Sequence, residues 1–165
     1  MIKAILIDDE QAALLALEND LQKHCAGEVN ILGKYQSPIE GMKAIRKMNP
    51  DLIFLDIQMP EMTGFEMLEI LGDIDTHIVF VSGFDQYAVK AFEISAIDYI
   101  LKPVNKDRLK TALHKVKEAS EKISTTQLQV LIDNMNPKQE DKKLAIPTLK
   151  ASLSCLLYTS PSPRD

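Results

Sequence analysis

Five short apolar runs alternate with five amphipathic stretches over roughly the first 120 residues, and this alternation constrains the fold more than any other feature. The run "KAILI" at residues 3–7 reads as a strand, and residues 11–25 then carry Leu14, Leu17 and Leu21 on one helical face. "VNILGKY" is a weaker strand. "SPIE" opens the next helix with a serine cap, proline at the first helical position and Glu40 at the capping-box position, and Pro50 follows its end near Met48. "LIFLD" is the third strand, followed by a loop and a helix from Gly64 to Leu71. "HIVFVS" is the fourth, with a helix at residues 87–95, and "DYILKP" is the fifth. From Asn105 a last helix carries Leu109, Leu113 and Val116.

Strict strand–helix alternation implies a parallel sheet with helices on both faces. Four of the five strands are continuously apolar, as strands covered on both sides must be. The expectation is an α/β domain with a doubly wound, five-stranded parallel sheet in flavodoxin-like order. A nucleotide-binding version is disfavoured, because "IDDEQA" after the first strand contains no glycine to cradle phosphate. At 165 residues and 26% charged, the chain suits one such core plus a remainder. A formal net charge of −5 disfavours nucleic-acid binding by bulk attraction. No apolar run reaches membrane-span length, and "MIKAILIDDE" lacks a signal-peptide layout, so a cytoplasmic protein with no membrane association is expected. Cys25 and Cys155 have neither disulfide-framework nor metal-ligand spacing.

In open parallel sheets the functional crevice lies outside the carboxyl ends of the strands. There the first strand ends in Asp8 and Asp9, the third in Asp56, the fourth in Ser82 and the fifth in Lys102 followed by Pro103. Turn chemistry accounts for any one of these, but a lysine closing an apolar strand is not turn punctuation. Three carboxylates at one edge repel unless a cation joins them, and two or three acids with room for water suit magnesium. Magnesium, one lysine and one hydroxyl together receive a phosphoryl group, and a carboxylate can be the nucleophile, forming an acyl phosphate. Asp56, on a central strand, is the natural nucleophile.

These residues resemble the receiver (CheY-like) domains of two-component response regulators. The resemblance rests on "IDDE", "LDIQMPEMTG", "VSG" and "YILKP" in that order and covers residues 1–122. It implies that Asp56 accepts phosphate from a sensor histidine kinase. Asp9 and Asp56 would bind magnesium, with Asp8 near it partly through water and the backbone carbonyl of Gln58 as a further ligand. Ser82 and Lys102 would contact phosphoryl oxygens, and the bond before Pro103 would be cis. Gly83 would leave space beside the phosphoryl site. Ser82 and Tyr99 would act as the switch, remodelling a homodimerisation face formed by the fourth helix, fifth strand and fifth helix. Such a protein is no enzyme but a phosphoacceptor that promotes its own phosphorylation and dephosphorylation. An aspartyl-phosphate phosphatase, the rival from the enzyme class, wants an acid two residues past the nucleophile, where this chain has Gln58.

Asp8 and Asp9 alone would be a cap and a turn, and Tyr99 alone half-buried core. His24 and His114 are expected on solvated helix surfaces, His77 at a strand start, Cys25 at a helix end, and Met59 and Met62 in loop packing. The mixed charge of "KDRLKTALHKVKEASEK" marks a solvated helix face.

Residues 123–142 are expected to be a helix extension and then an exposed linker. "KLAIPTL", opening residues 143–153, is similar to the start of the LytTR-type (LytR/AgrA-like) DNA-binding domain, a mostly β output module. "FDQYAVKAFEISAIDYILKP" likewise resembles the receivers joined to that output. DNA binding would then belong only to the missing remainder of a truncated domain. The alternative is a stand-alone receiver signalling through protein contacts. Residues 154–165 are expected to be non-native, since "CLLYTSPSPRD" matches one reading frame of a transposase-based sequencing adapter.

Overall fold

The computed structural model describes residues 1–135. Met1–Lys117 forms one compact unit, and a second begins at Glu118. The expected linker beyond Met135, the strand-like run at 143–153 and the tail at 154–165 lie outside the described residues.

Five strands, β1 (Ile2–Ile7), β2 (Val29–Tyr35), β3 (Leu52–Leu55), β4 (His77–Ser82) and β5 (Asp98–Leu101), form one parallel sheet in the order β2-β1-β3-β4-β5. The helices are α1 (Gln11–His24), α2 (Pro38–Met48), α3 (Gly64–Leu71), α4 (Ala88–Glu93) and α5 (Lys106–Met135). Successive strand residues point to opposite faces, and the sheet sorts its side chains accordingly. Ala4, Leu6, Leu52, Phe54, Val79, Val81 and Ile100 pack with α1 and α5. Ile5, Ile7, Ile53, Leu55 and Phe80 pack with α2, α3 and α4. Both faces of the central strands are therefore dry, which is why those strands are continuously apolar. Edge strand β2 is only half-buried, and its pairing with β1 shifts register between Ala4 and Ile5.

Local chemistry sets the helix ends. Ser37 caps α2 by accepting a hydrogen bond from the Glu40 amide at 3.4 Å. The expected capping box there is half formed, because the Glu40 carboxylate turns instead to Lys43 at 3.3 Å. A complete box starts α3, where Thr63 accepts from the Glu66 amide and Glu66 accepts from the Thr63 amide. Helix α4 is shorter than expected. Tyr87 is its N-cap, and Ser95, at φ +67°, turns the chain so that the Ala96 amide closes on the Ala91 carbonyl. Helix α5 continues without a break to Met135.

Candidate functional site

Strand order reverses beside β1, so the carboxyl ends of β1 and β3 are neighbours and their following residues meet. Asp56 is tied in by its own amide, which donates to the Ile7 carbonyl at 2.9 Å. Asp8, Asp9 and Asp56 each offer a carboxylate oxygen, and these oxygens lie within 4.8 Å of one another. Asp8 and Asp56 are each 6% exposed, so neither charge is well hydrated. From the end of β5, Lys102 Nζ reaches Asp8 Oδ2 at 2.7 Å, Asp56 Oδ2 at 3.8 Å and Glu10 Oε1 at 3.8 Å. The Lys102–Pro103 peptide is cis.

Within Asp56 the two oxygens differ. Oδ1 accepts from the Ile57 amide at 2.8 Å, and Oδ2 faces Lys102. Ser82, fully buried at the end of β4, accepts from the Phe84 amide at 3.1 Å. Its carbonyl accepts from the Lys102 amide at 2.8 Å, which joins the hydroxyl and ammonium segments. The Tyr99 hydroxyl donates to the Phe84 carbonyl, and its ring centroid stands 6.4 Å from that of Phe80. Exposed Gln58 donates its amide to the Tyr87 hydroxyl at 2.6 Å.

Gly64 sets the shape of the loop after Asp56. A Cβ there would stand 2.5 Å from the Asp56 carbonyl oxygen, so only glycine lets α3 start against that backbone. At Gly83 a Cβ would meet nothing within 4 Å, so the space there is open.

One ammonium faces three acids, with Asp9 beside two of them, and burial adds to this imbalance at Asp56. Burial, reinforced by the charge of Asp8, pushes its pKa up to about 7, against the opposing pull of Lys102 and the Ile57 amide. Burial works to lower the Lys102 pKa, but its hydrogen bond to Asp8 and the attraction of Asp56 and Glu10 outweigh that and raise it. An all-oxygen donor set with surplus negative charge fits a small, hard divalent cation. A neighbouring ammonium and hydroxyl give the same place donors for an oxyanion.

Every site residue named from the strand ends lies at this edge, and two further participants were not assigned a role from sequence. Glu10 stood in the quoted "IDDE" motif, whose spacing was the available signal. Tyr87 appeared only as a helix start, and nothing local in the sequence announces its bond to Gln58, 29 positions away.

The model of the response regulator receiver domain family matches residues 4–114. The chain is 41% identical over 123 residues to the transcriptional regulatory protein BtsR of Escherichia coli, covering 74% of this chain and 51% of BtsR. It is 40% identical over 144 residues to an uncharacterized response regulatory protein of Vibrio vulnificus, covering 86% and 57%. Among solved structures it is similar to the response regulatory domain of mrkE from Klebsiella pneumoniae, with a TM-score of 0.65 and 31% identity, covering 73% of this chain and 99% of that one. The chain spans about half the length of the curated relatives it matches.

Proposed function

This chain belongs to the response regulator receiver domain family, and on that premise we propose that Asp56 is its phosphoacceptor, taking a phosphoryl group from the phosphohistidine of a sensor histidine kinase. The observation that carries the reading is the buried Asp56 carboxylate, set against Asp8, Asp9 and Lys102 with Oδ2 turned toward the ammonium. Oδ2 attacks the phosphorus, the phosphorus–nitrogen bond breaks, and its electron pair returns to the imidazole nitrogen, which takes a proton. The product is an acyl phosphate on Asp56. Asp9, Asp56, Asp8 and the Gln58 carbonyl would hold magnesium, which when bound supplies charge neutralisation for the phosphoryl oxygens. Lys102 pairs with one of those oxygens, and the Ser82 hydroxyl donates to another.

Phosphorylation draws Ser82 toward the new charge and turns Tyr99 behind it, biasing a two-state equilibrium of the face built from α4, β5 and the start of α5. That face exposes Val89 (72%), Phe92 (81%) and Leu101 (44%), apolar area that a second copy would cover. The protein works in the cytoplasm; no helix among the described residues is long and apolar enough to cross a membrane. DNA binding would belong to a LytTR-type domain, of which residues 143–153 resemble the opening run.

Acetyl phosphate with magnesium is expected to add one phosphoryl mass to the chain and none to Asp56→Asn. Equal labelling of the two would overturn the assignment. A sequencing read of the native gene past the Ser154 codon tests the output. About 100 further β-rich, basic residues would support DNA binding, and a stop codon would leave a receiver that signals through protein contacts.

A further inference from the structure

Gln58 and Tyr87 sit on the two loops that border the candidate phosphoryl site. Gln58 follows Asp56 on the loop after β3, and Tyr87 follows Ser82 at the N-cap of α4. Their 2.6 Å hydrogen bond therefore joins the loop carrying the carboxylate to the loop after the hydroxyl. Tyr87 is itself anchored. Its ring lies 6.0 Å from that of Phe65 and edge-on to Phe84 at 6.4 Å. Phe65 in turn packs on buried Phe80 at 5.0 Å. An exposed glutamine on a loop ordinarily samples several rotamers. Here its carboxamide is held by a hydroxyl whose half-buried ring packs against the core.

We propose that Tyr87 is a positioning residue that lengthens the life of the phosphoryl group on Asp56 by holding the Gln58 carboxamide across the mouth of the site. The inference rests on the reading of Asp56 as the phosphoacceptor. Loss of the group is a hydrolysis: a water oxygen bonds to phosphorus, the bond from phosphorus to the Asp56 oxygen breaks, and its electron pair returns to the carboxylate. A water proton passes to solvent, and inorganic phosphate leaves. Attack must come roughly in line with the breaking bond, from the side opposite the Asp56 oxygen. Asp56 is buried, so water must come from the solvent side, which the loops carrying Gln58 and Tyr87 border. The Gln58–Tyr87 bond closes this approach without supplying a base to the water, so it slows attack.

The test labels the full chain with acetyl phosphate and magnesium, removes the donor, and follows the phosphoryl mass with time. Tyr87→Phe keeps the ring packing and deletes the hydroxyl, and Gln58→Ala deletes the carboxamide while leaving its backbone carbonyl. Each is expected to shorten the half-life about fivefold, the rate equivalent of one hydrogen bond. The double variant should decay no faster than either single one, and the thermal midpoint of Tyr87→Phe should match the parent. An unchanged or longer half-life in Tyr87→Phe, or additive effects in the double variant, would overturn the proposal. Should Tyr87→Phe fail to fold, Gln58→Ala at its exposed loop position decides by the same half-life. A parent chain that takes no label, or label that survives Asp56→Asn, would overturn the phosphoacceptor reading and this inference with it.

Discussion

Asp56 bears a charge that folding makes costly, and its protonation ties stability to pH. Its folded pKa of about 7 stands above the ordinary carboxylate value of 3.8, with burial as the main cause. Between those values the folded chain keeps a proton that the unfolded chain has released. On this account the contribution of Asp56 to stability is greatest below about pH 4, falls as pH rises toward 7, and is level above. In metal-free buffer at pH 8, Asp56→Asn should therefore raise stability by on the order of 2 kcal/mol and flatten the dependence between pH 4 and 7, as read by urea melts. A parallel pH profile in both proteins would show that Asp56 is comfortably charged. Gly64→Ala tests the other constraint at this scale. The new Cβ would meet the Asp56 carbonyl oxygen at 2.5 Å, and backbone yields poorly. The variant should lose roughly 2 kcal/mol or more and label more slowly, because the loop that aims Asp56 must shift.

Elements owe their ends to short polar contacts, and α3 shows this most directly. Its capping box satisfies two amides that would otherwise lack partners, at 2.8 and 3.1 Å. Thr63→Ala should cost about 1 kcal/mol in a urea melt, whereas Ser37→Ala, at a cap bond of 3.4 Å with no reciprocal partner, should cost less. Equal losses would mean that the reciprocal bond adds nothing. Strand positions follow a different rule. Every second residue of β1, β3 and β4 enters one core and the alternate ones the other, so a shift by one residue would exchange both sets at once.

For the whole molecule, the three acids around Lys102, with Asp9 beside Asp8 and Asp56, mean that folding assembles like charges which a bound cation would relieve. Magnesium should therefore raise the thermal midpoint in a concentration-dependent way, through about 2.7 kcal/mol of added stability at a hundredfold excess over its dissociation constant. The increment should shrink in Asp9→Asn. A midpoint indifferent to magnesium at neutral pH would argue against a cation at this edge. Much of this organisation was readable beforehand. Alternating periods of two and 3.6 announced the five units, and the polar residues closing apolar strands announced the site. Less was readable at edges, where burial is partial. Half-buried β2 carries a weaker pattern than the central strands, and α4 is shorter than its apolar residues suggested because Ser95 adopts a left-handed turn.

The sequence by itself determined which segments are strands, which side chains enter the two cores, and that Asp8, Asp9, Asp56, Ser82 and Lys102 end on one edge. These follow from local periodicity and the handedness of parallel crossovers, both encoded in neighbouring residues. Tertiary structure alone decided that Lys102 pairs most closely with Asp8, that burial lifts the Asp56 pKa, and that Glu40 turns to Lys43. It alone joined Gln58 to Tyr87. Such outcomes depend on distances of a few tenths of an ångström and on how much water each group loses. Those quantities exist only once residues remote in sequence are brought together.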